Sequence, residues 1–351
     1  MPPYWAIGVG AGLAGALLFL TAGVGSPILG LPLFFAALPV FLAGLGWGSR
    51  SALIATVTGF VVLSSTSSFT AGLVFLVADG LAPAWLVHLA LLHHLETTPR
   101  LTPADAARLA RKGETPDAEP PATEEAAVTE WYPAGALAVW TALIAVGVLV
   151  VSGLSTMAMG VEGGLEGALR MLLSEDLIEG RAIEAGLREL GLSADPERIL
   201  SLIVIALPAF VVMAWSLLTL GNMWLAQVIL ERAGHHLRPT PTLLDIEYPP
   251  FLLALFLAAL ILSLIPGSAA QLGGAIMIAL LVPYFLLGLA VIHAISRAWT
   301  ARIALLGVFY VLLIFTGWLI VPVCLIGLAE PWAALRARFA QSEAPTGKEI
   351  S

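Results

Sequence analysis

Residues 71–92 read AGLVFLVADGLAPAWLVHLALL. One charged side chain, Asp79, occurs in that length, and apolar residues occupy every face that a 3.6-residue turn presents. A bilayer core is about 30 Å thick and takes roughly 20 apolar residues to cross as a helix. The stretch therefore reads as a transmembrane helix and not as one face of a soluble core. Working outward, comparable apolar runs occur near 5–22, 28–47, 50–69, 133–156, 199–230, 249–265, 272–295 and 303–328. They predict an all-α fold, a polytopic transmembrane helix bundle of about 8–9 spans.

Composition agrees. The chain has 351 residues, 59% of them apolar and 11% charged, with a mean hydropathy of +0.95. Soluble globular chains carry about 25% charged residues. Of the 40 charged residues, 36 lie in the segments 93–132, 157–198, 231–248 and 329–351. The remainder of the chain keeps Arg50, Asp79, Arg297 and Arg302, too few to build a water-facing surface. This excludes most soluble enzyme classes. The net charge of −8 includes no basic stripe, so no nucleic-acid partner is expected. The single cysteine, Cys324, excludes a disulfide framework and a cysteine-based metal site. Met1 to Tyr4 carry no basic side chain, so 5–22 reads as a first span and not as a cleaved signal.

Lysine and arginine set the orientation. With alternating spans, Arg50, Arg100, Arg108, Arg111, Lys112, Arg232, Arg238, Arg297 and Arg302 share one side. Arg170, Arg181, Arg188 and Arg198 lie on the other, in a loop with nine carboxylates. The first side is assigned to the cytoplasm of a bacterial inner (plasma) membrane. Strict alternation over nine spans would put the tail, with Arg336, Arg338 and Lys348, outside; a cytoplasmic tail and an even total fit the charge rule better. The organisation is then an N-terminal bundle of about four spans at 1–92, a cytoplasmic linker at 93–132, a C-terminal bundle at 133–328 and a polar tail at 329–351.

In the linker, Thr102-Pro103-Ala104-Asp105 starts a short helix running to Lys112, with Thr102 as N-cap. Residues 113–130 have almost nothing to bury and read as disordered, a solvated linker or a docking segment. The outer loop, 157–198, repeats Leu165, Leu169, Leu172, Leu173, Leu177, Ile183, Leu187 and Leu190 at near-helical spacing, which predicts amphipathic helices lying on the membrane or capping the bundle. Asp195-Pro196 supplies an N-cap and a first-turn proline to the next span.

Asp79 lies near the midplane, where an isolated charge costs several kcal/mol. It reads as a proton or cation ligand; the plain alternative is a protonated carboxyl bonded to backbone where Gly80 and Pro83 break the helix. Asn222 and Gln227, five residues apart, would add polar contacts or tie helices together. The run Ser64-Ser65-Thr66-Ser67-Ser68 would line a polar mouth or allow close helix approach. All six histidines (His88, His93, His94, His235, His236 and His293) fall near the cytoplasmic side, at spacings that match no metal motif. His88 and His293, inside spans, are candidates for a proton route from Asp79. Pro32, Pro39, Pro83, Pro208, Pro283 and Pro322 interrupt candidate spans, as in the discontinuous helices of transporter sites. No Walker A loop, His-Glu-x-x-His pair or Gly-x-Ser-x-Gly elbow occurs, so no enzyme activity, catalytic residue, cofactor or metal is expected.

Three stretches carry a resemblance. They are Leu38-Pro39-Val40 to Gly44-Leu45-Gly46-Trp47-Gly48 with Arg50-Ser51-Ala52; Asn222-Met223-Trp224-Leu225 with Arg232; and Ile326-Gly327-Leu328-Ala329-Glu330 leading to Leu335-Arg336. Together they resemble the YybS-like family of bacterial multi-pass membrane proteins, a domain of unknown function. Glu330-Pro331-Trp332 departs from that family's Asp-containing, aromatic-rich ending. The family is distantly similar to the substrate-binding subunits of energy-coupling-factor transporters, which implies small-molecule capture and transfers no specific residue.

The expected function is transport-related: binding or translocation of a small molecule or proton through a midplane site of Asp79, His88, Asn222, Gln227 and His293. The alternative is a non-transporting cell-envelope scaffold that recruits a membrane or cytoplasmic protein partner through its cytoplasmic loops. In both, the lipid bilayer is the surrounding partner.

Overall fold

The computed structural model describes residues 3–24, 30–99, 125–176, 195–241 and 246–336, with 189 and 338 singly. The helix expected over 102–112, residues 113–124 of the linker, the distal part of the outer loop and most of the tail lie outside the described residues.

Helices dominate. α1 (Tyr4–Leu20) is followed by 3-10 turns at Thr21–Val24 and Leu31–Phe35, then α2 (Leu38–Trp47), α3 (Ser49–Thr66) and α4 (Phe69–Ala90). Gly48, at φ +96°, lets α3 start one residue after α2 ends, a conformation that a side chain would strain. Ser68 caps α4 by accepting the Ala71 N–H at 3.1 Å. The C-terminal part holds α5 (Ala134–Ala158), α6 (Gly164–Asp176), α7 (Pro196–Arg232), α8 (Phe251–Ser263), α9 (Ser268–Ile295), α10 (Arg302–Thr316) and α11 (Ile320–Ala333). The expected start of α7 is borne out: the Asp195 carboxylate accepts the Glu197 N–H at 3.1 Å, and Pro196 opens the first turn.

Four described helices are long and apolar enough to cross a membrane, α4, α5, α7 and α9, and a fifth results if α10 and α11, bent by 117°, are one broken span. The difference from the expected 8–9 has a local cause at each place. α1 stops at 17 residues. Pro32 and Pro39 divide the second apolar run into a 3-10 turn and a ten-residue helix. α8 is apolar but only 13 residues long. α3 keeps its 18 residues, yet Arg50 and its serines and threonines dilute its hydropathy.

A second difference falls in the linker. β1 (His93–Pro99) and β2 (Glu125–Trp131) pair antiparallel, His93 opposite Trp131 and Pro99 opposite Glu125. Residues 125–130, expected to be disordered, form a strand, because a partner supplies the backbone hydrogen bonds that apolar burial does not. Among the described residues this ribbon is the one departure from all-α.

The core falls into three clusters. One joins α1–α4 around Phe41, Leu63, Phe75 and Leu86, and it also takes Leu137 of α5 and Met223, Ala226 and Leu230 of α7. The N-terminal bundle therefore does not close on itself. The other two lie among α5, α7, α8 and α9. α6 caps one end of the bundle: Arg170 reaches Glu166 and Glu197, each at 3.7 Å, and donates to Ser201 at 3.1 Å. α9 and α11 cross backbone to backbone, since a Cβ on Gly327 would collide with the Tyr284 carbonyl and one on Gly288 with that of Val323.

Candidate functional site

Asp79 sits ten residues into α4, about 15 Å along it at 1.5 Å per residue. The helix does not break there as expected. It widens into a π turn over Leu76–Leu81 and resumes α geometry to Ala90. In π pairing each carbonyl looks to the N–H five residues on. For Ala78 that residue is Pro83, which has none. The indole Nε1 of Trp215, on α7, donates to the Ala78 carbonyl instead, at 3.2 Å. One insertion thus re-aims the turn that carries Asp79 and fixes it against α7.

The Asp79 carboxyl is half-buried. Among the described residues no hydrogen bond and no ion pair reaches it. Gly80, next to it, is buried against Thr56 of α3. A carboxylate at this depth can take up a proton or hold a cation that brings its own charge; it is not neutralised by a neighbouring base.

The face of α7 that carries Trp215 also carries Thr219 and Asn222, while Ser216 and Gln227 lie about 100–120° round the helix from it; these four polar residues are buried. Asn222 Nδ2 donates to the Phe34 carbonyl at 2.8 Å, tying α7 to the proline-rich turn before α2. Gln227 is 4% exposed, and its Nε2 has no hydrogen-bond partner. Asn222 and Gln227, five residues and about 140° of helical turn apart, are both buried but do not share one line of the helix. Ser216 Oγ donates to Val212 within its own helix.

The two histidines are not brought to Asp79 by any described contact. His88 is exposed on α4 and packs on Trp85, with ring centroids 5.8 Å apart. His293, late in α9, bonds its own Leu289 carbonyl at 2.9 Å and meets the Tyr310 hydroxyl of α10 at 3.5 Å. His93 and His235 stack on Trp131 and Trp47. Among the described residues no three His, Cys, Asp or Glu side chains gather as a metal site. In the 64–68 run, Ser65 and Thr66 bond back to their own helix, and the buried Ser64 hydroxyl faces Gly72 without a partner.

Trp215, Ser216 and Thr219 were not singled out by sequence reasoning. Their signal was the 3–4-residue recurrence of polar or amphipathic side chains (215/216, 219, 222) in an otherwise apolar run. Two other buried polar groups serve helix ends. Arg238 donates to the Ala90 carbonyl at 3.1 Å, at the negative end of α4; burial lowers its pKa from the ordinary value. Glu330, 5% exposed, accepts from the Leu335 and Arg336 N–H groups and from Arg336 Nε at 2.9 Å, closing α11. Tyr248, just before α8, donates to the Pro283 carbonyl at 2.8 Å. Burial raises its pKa, with the nearby Arg336 charge opposing.

Residues 125–330 match a family described as "Predicted membrane protein (DUF2232)". No curated protein and no solved structure matches the chain.

Proposed function

We propose a function for a chain that belongs to the DUF2232 family of predicted membrane proteins: binding or translocation of a small molecule or proton within the membrane, with Asp79 as its central ligand. The observation that carries this is a half-buried carboxylate near the middle of a 22-residue span, with no partner among the described residues, on a π turn that Trp215 holds to α7. Intramembrane carboxylates are costly and mark ion and proton paths, and π turns recur at functional sites. Gln227, buried on the same helix as Trp215 with an unpaired amide nitrogen, is a second polar group for the ligand. The resemblance to substrate-binding subunits of energy-coupling-factor transporters points the same way. In this reading the chain is a multi-pass protein of a bacterial inner membrane, the shorter apolar helices complete a bundle of 8–9 spans, and it has no catalytic role.

The test is proton flux into proteoliposomes under an imposed potassium diffusion potential, read with an entrapped pH dye, beside thermal-shift screening of small molecules. Asp79→Asn is expected to abolish the flux or the ligand-induced shift while elution volume and Tm stay at wild-type values. Flux and shifts identical in wild type and variant would remove the main support. A scaffold role has one observation in its favour, the ribbon that pairs His93–Pro99 with Glu125–Trp131. It predicts a bound protein partner that is lost on deleting 100–124 and is indifferent to Asp79→Asn.

A further inference from the structure

A chamber of about 320 Å³ opens among α7, α8, α9 and α11, lined by side chains that include Met213, Phe256, Leu281, Phe285 and Cys324. No side chain in its wall carries a charge, an amide or a hydroxyl. It is separate from the Trp215 contact with the Asp79 turn: Trp215 lies two residues, about 200° of helical turn, from both Met213 and Leu217, the α7 residues in the wall. α10 lies at 117° to α11 and buries none of its residues, and the residues that line the chamber include none of α10. Val321 and Leu325, at the rim, are each 60% exposed.

An empty chamber is destabilising in proportion to its volume, and an apolar one gives water none of the polar partners it needs. Its size falls at the lower end of the roughly 300–1,000 Å³ seen for small-molecule pockets. The walls contain Met213 and Met277, whose unbranched side chains adapt to flexible occupants. At membrane depth the medium facing the rim is hydrocarbon. We propose that the chamber is a binding site for the acyl chain of a membrane lipid, inserted sideways past Val321 and Leu325.

The test uses the full chain in nanodiscs containing a phosphatidylglycerol with a diazirine in its acyl tail, with labelled peptides mapped by mass spectrometry. Labelling of 277–285 and 320–328 is expected to saturate and to be competed by unreactive phosphatidylglycerol. Labelling of exposed Ile314 and Phe315 on α10 should rise in proportion to photolipid, as bulk contact does. Cys324→Phe, which intrudes on the chamber, should lower wall labelling about fivefold and leave α10 labelling unchanged. Asp79→Asn should change neither, which keeps this outcome separate from the transport reading. Unsaturable wall labelling in the wild type, or wall labelling in a folded Cys324→Phe that stays at the wild-type level, overturns the proposal; the wild-type competition decides alone if that variant does not fold.

Discussion

Asn222 and Gln227 lie on the same helix, both buried, and differ in one respect: the Asn222 amide has found a backbone carbonyl and the Gln227 nitrogen has not. Removing one partner of a satisfied buried pair leaves the other to bear its desolvation, whereas removing an unsatisfied group relieves a cost. Asn222→Leu is therefore expected to lower stability by about 1–2 kcal/mol, since it orphans the Phe34 carbonyl. Gln227→Leu should be neutral or raise Tm. Paired thermal-unfolding curves in one detergent check both, and equal destabilisation by the two would contradict the assignment. If Gln227→Leu keeps its Tm but loses the Asp79-dependent signal, Gln227 is held for a ligand and not for packing. At this scale Asp79 and Asn222 were legible in the sequence because polar groups stand out against an apolar run. Whether each has a partner was not legible, because Phe34 is 188 residues from Asn222 and Ala78 is 137 from Trp215.

Single helices show where one-dimensional reasoning stops. Proline placement correctly marked α4 as irregular, but Pro83 did not break it. A π turn absorbed the missing N–H, and a tryptophan from another helix took the freed carbonyl. In the second apolar run, Pro32 and Pro39 had no such rescue for a full span, and a 3-10 turn and a short helix resulted. The α9–α11 crossing depends on two small residues that no periodicity singled out. Gly327→Leu would drive a side chain into the Tyr284 carbonyl, and overpacking of that kind costs about 3 kcal/mol. The expected result is a large fall in Tm with faster amide exchange across 281–288, where α11 crosses α9. Gly307→Leu, on α10 where a Cβ would meet open space, should leave both near wild type.

The whole molecule places several chain-distant features at one end. The ribbon enters beside the end of α4, where the Tyr132 N–H bonds the Leu92 carbonyl at 2.9 Å, and Arg238 closes α4 at Ala90. Arg336 acts on Tyr248 just before α8, and Glu247 abuts Gly135 at the start of α5. The polar tail thus begins at the end from which the linker emerges. Thr102→Cys and Ser351→Cys, each introduced into a Cys324→Ser background, are accordingly expected to react with a membrane-impermeant maleimide from the same side of sealed vesicles. Opposite-side labelling would return the tail to the outside. The sequence by itself determined that the chain is a helical membrane protein, that its charges gather in four segments, and that Asp79 is the one charged residue of the 71–92 run. These follow from hydropathy and charge, which are local sums along the chain. Only the tertiary structure decided that the two ends of the linker pair as strands, that α7 completes the N-terminal core, that Trp215 of α7 meets the Asp79 turn, and that an apolar chamber lies beside α11. Each of those depends on contacts between residues far apart in sequence, and steric fit and hydrogen-bond geometry at such contacts leave no periodic trace in a single chain.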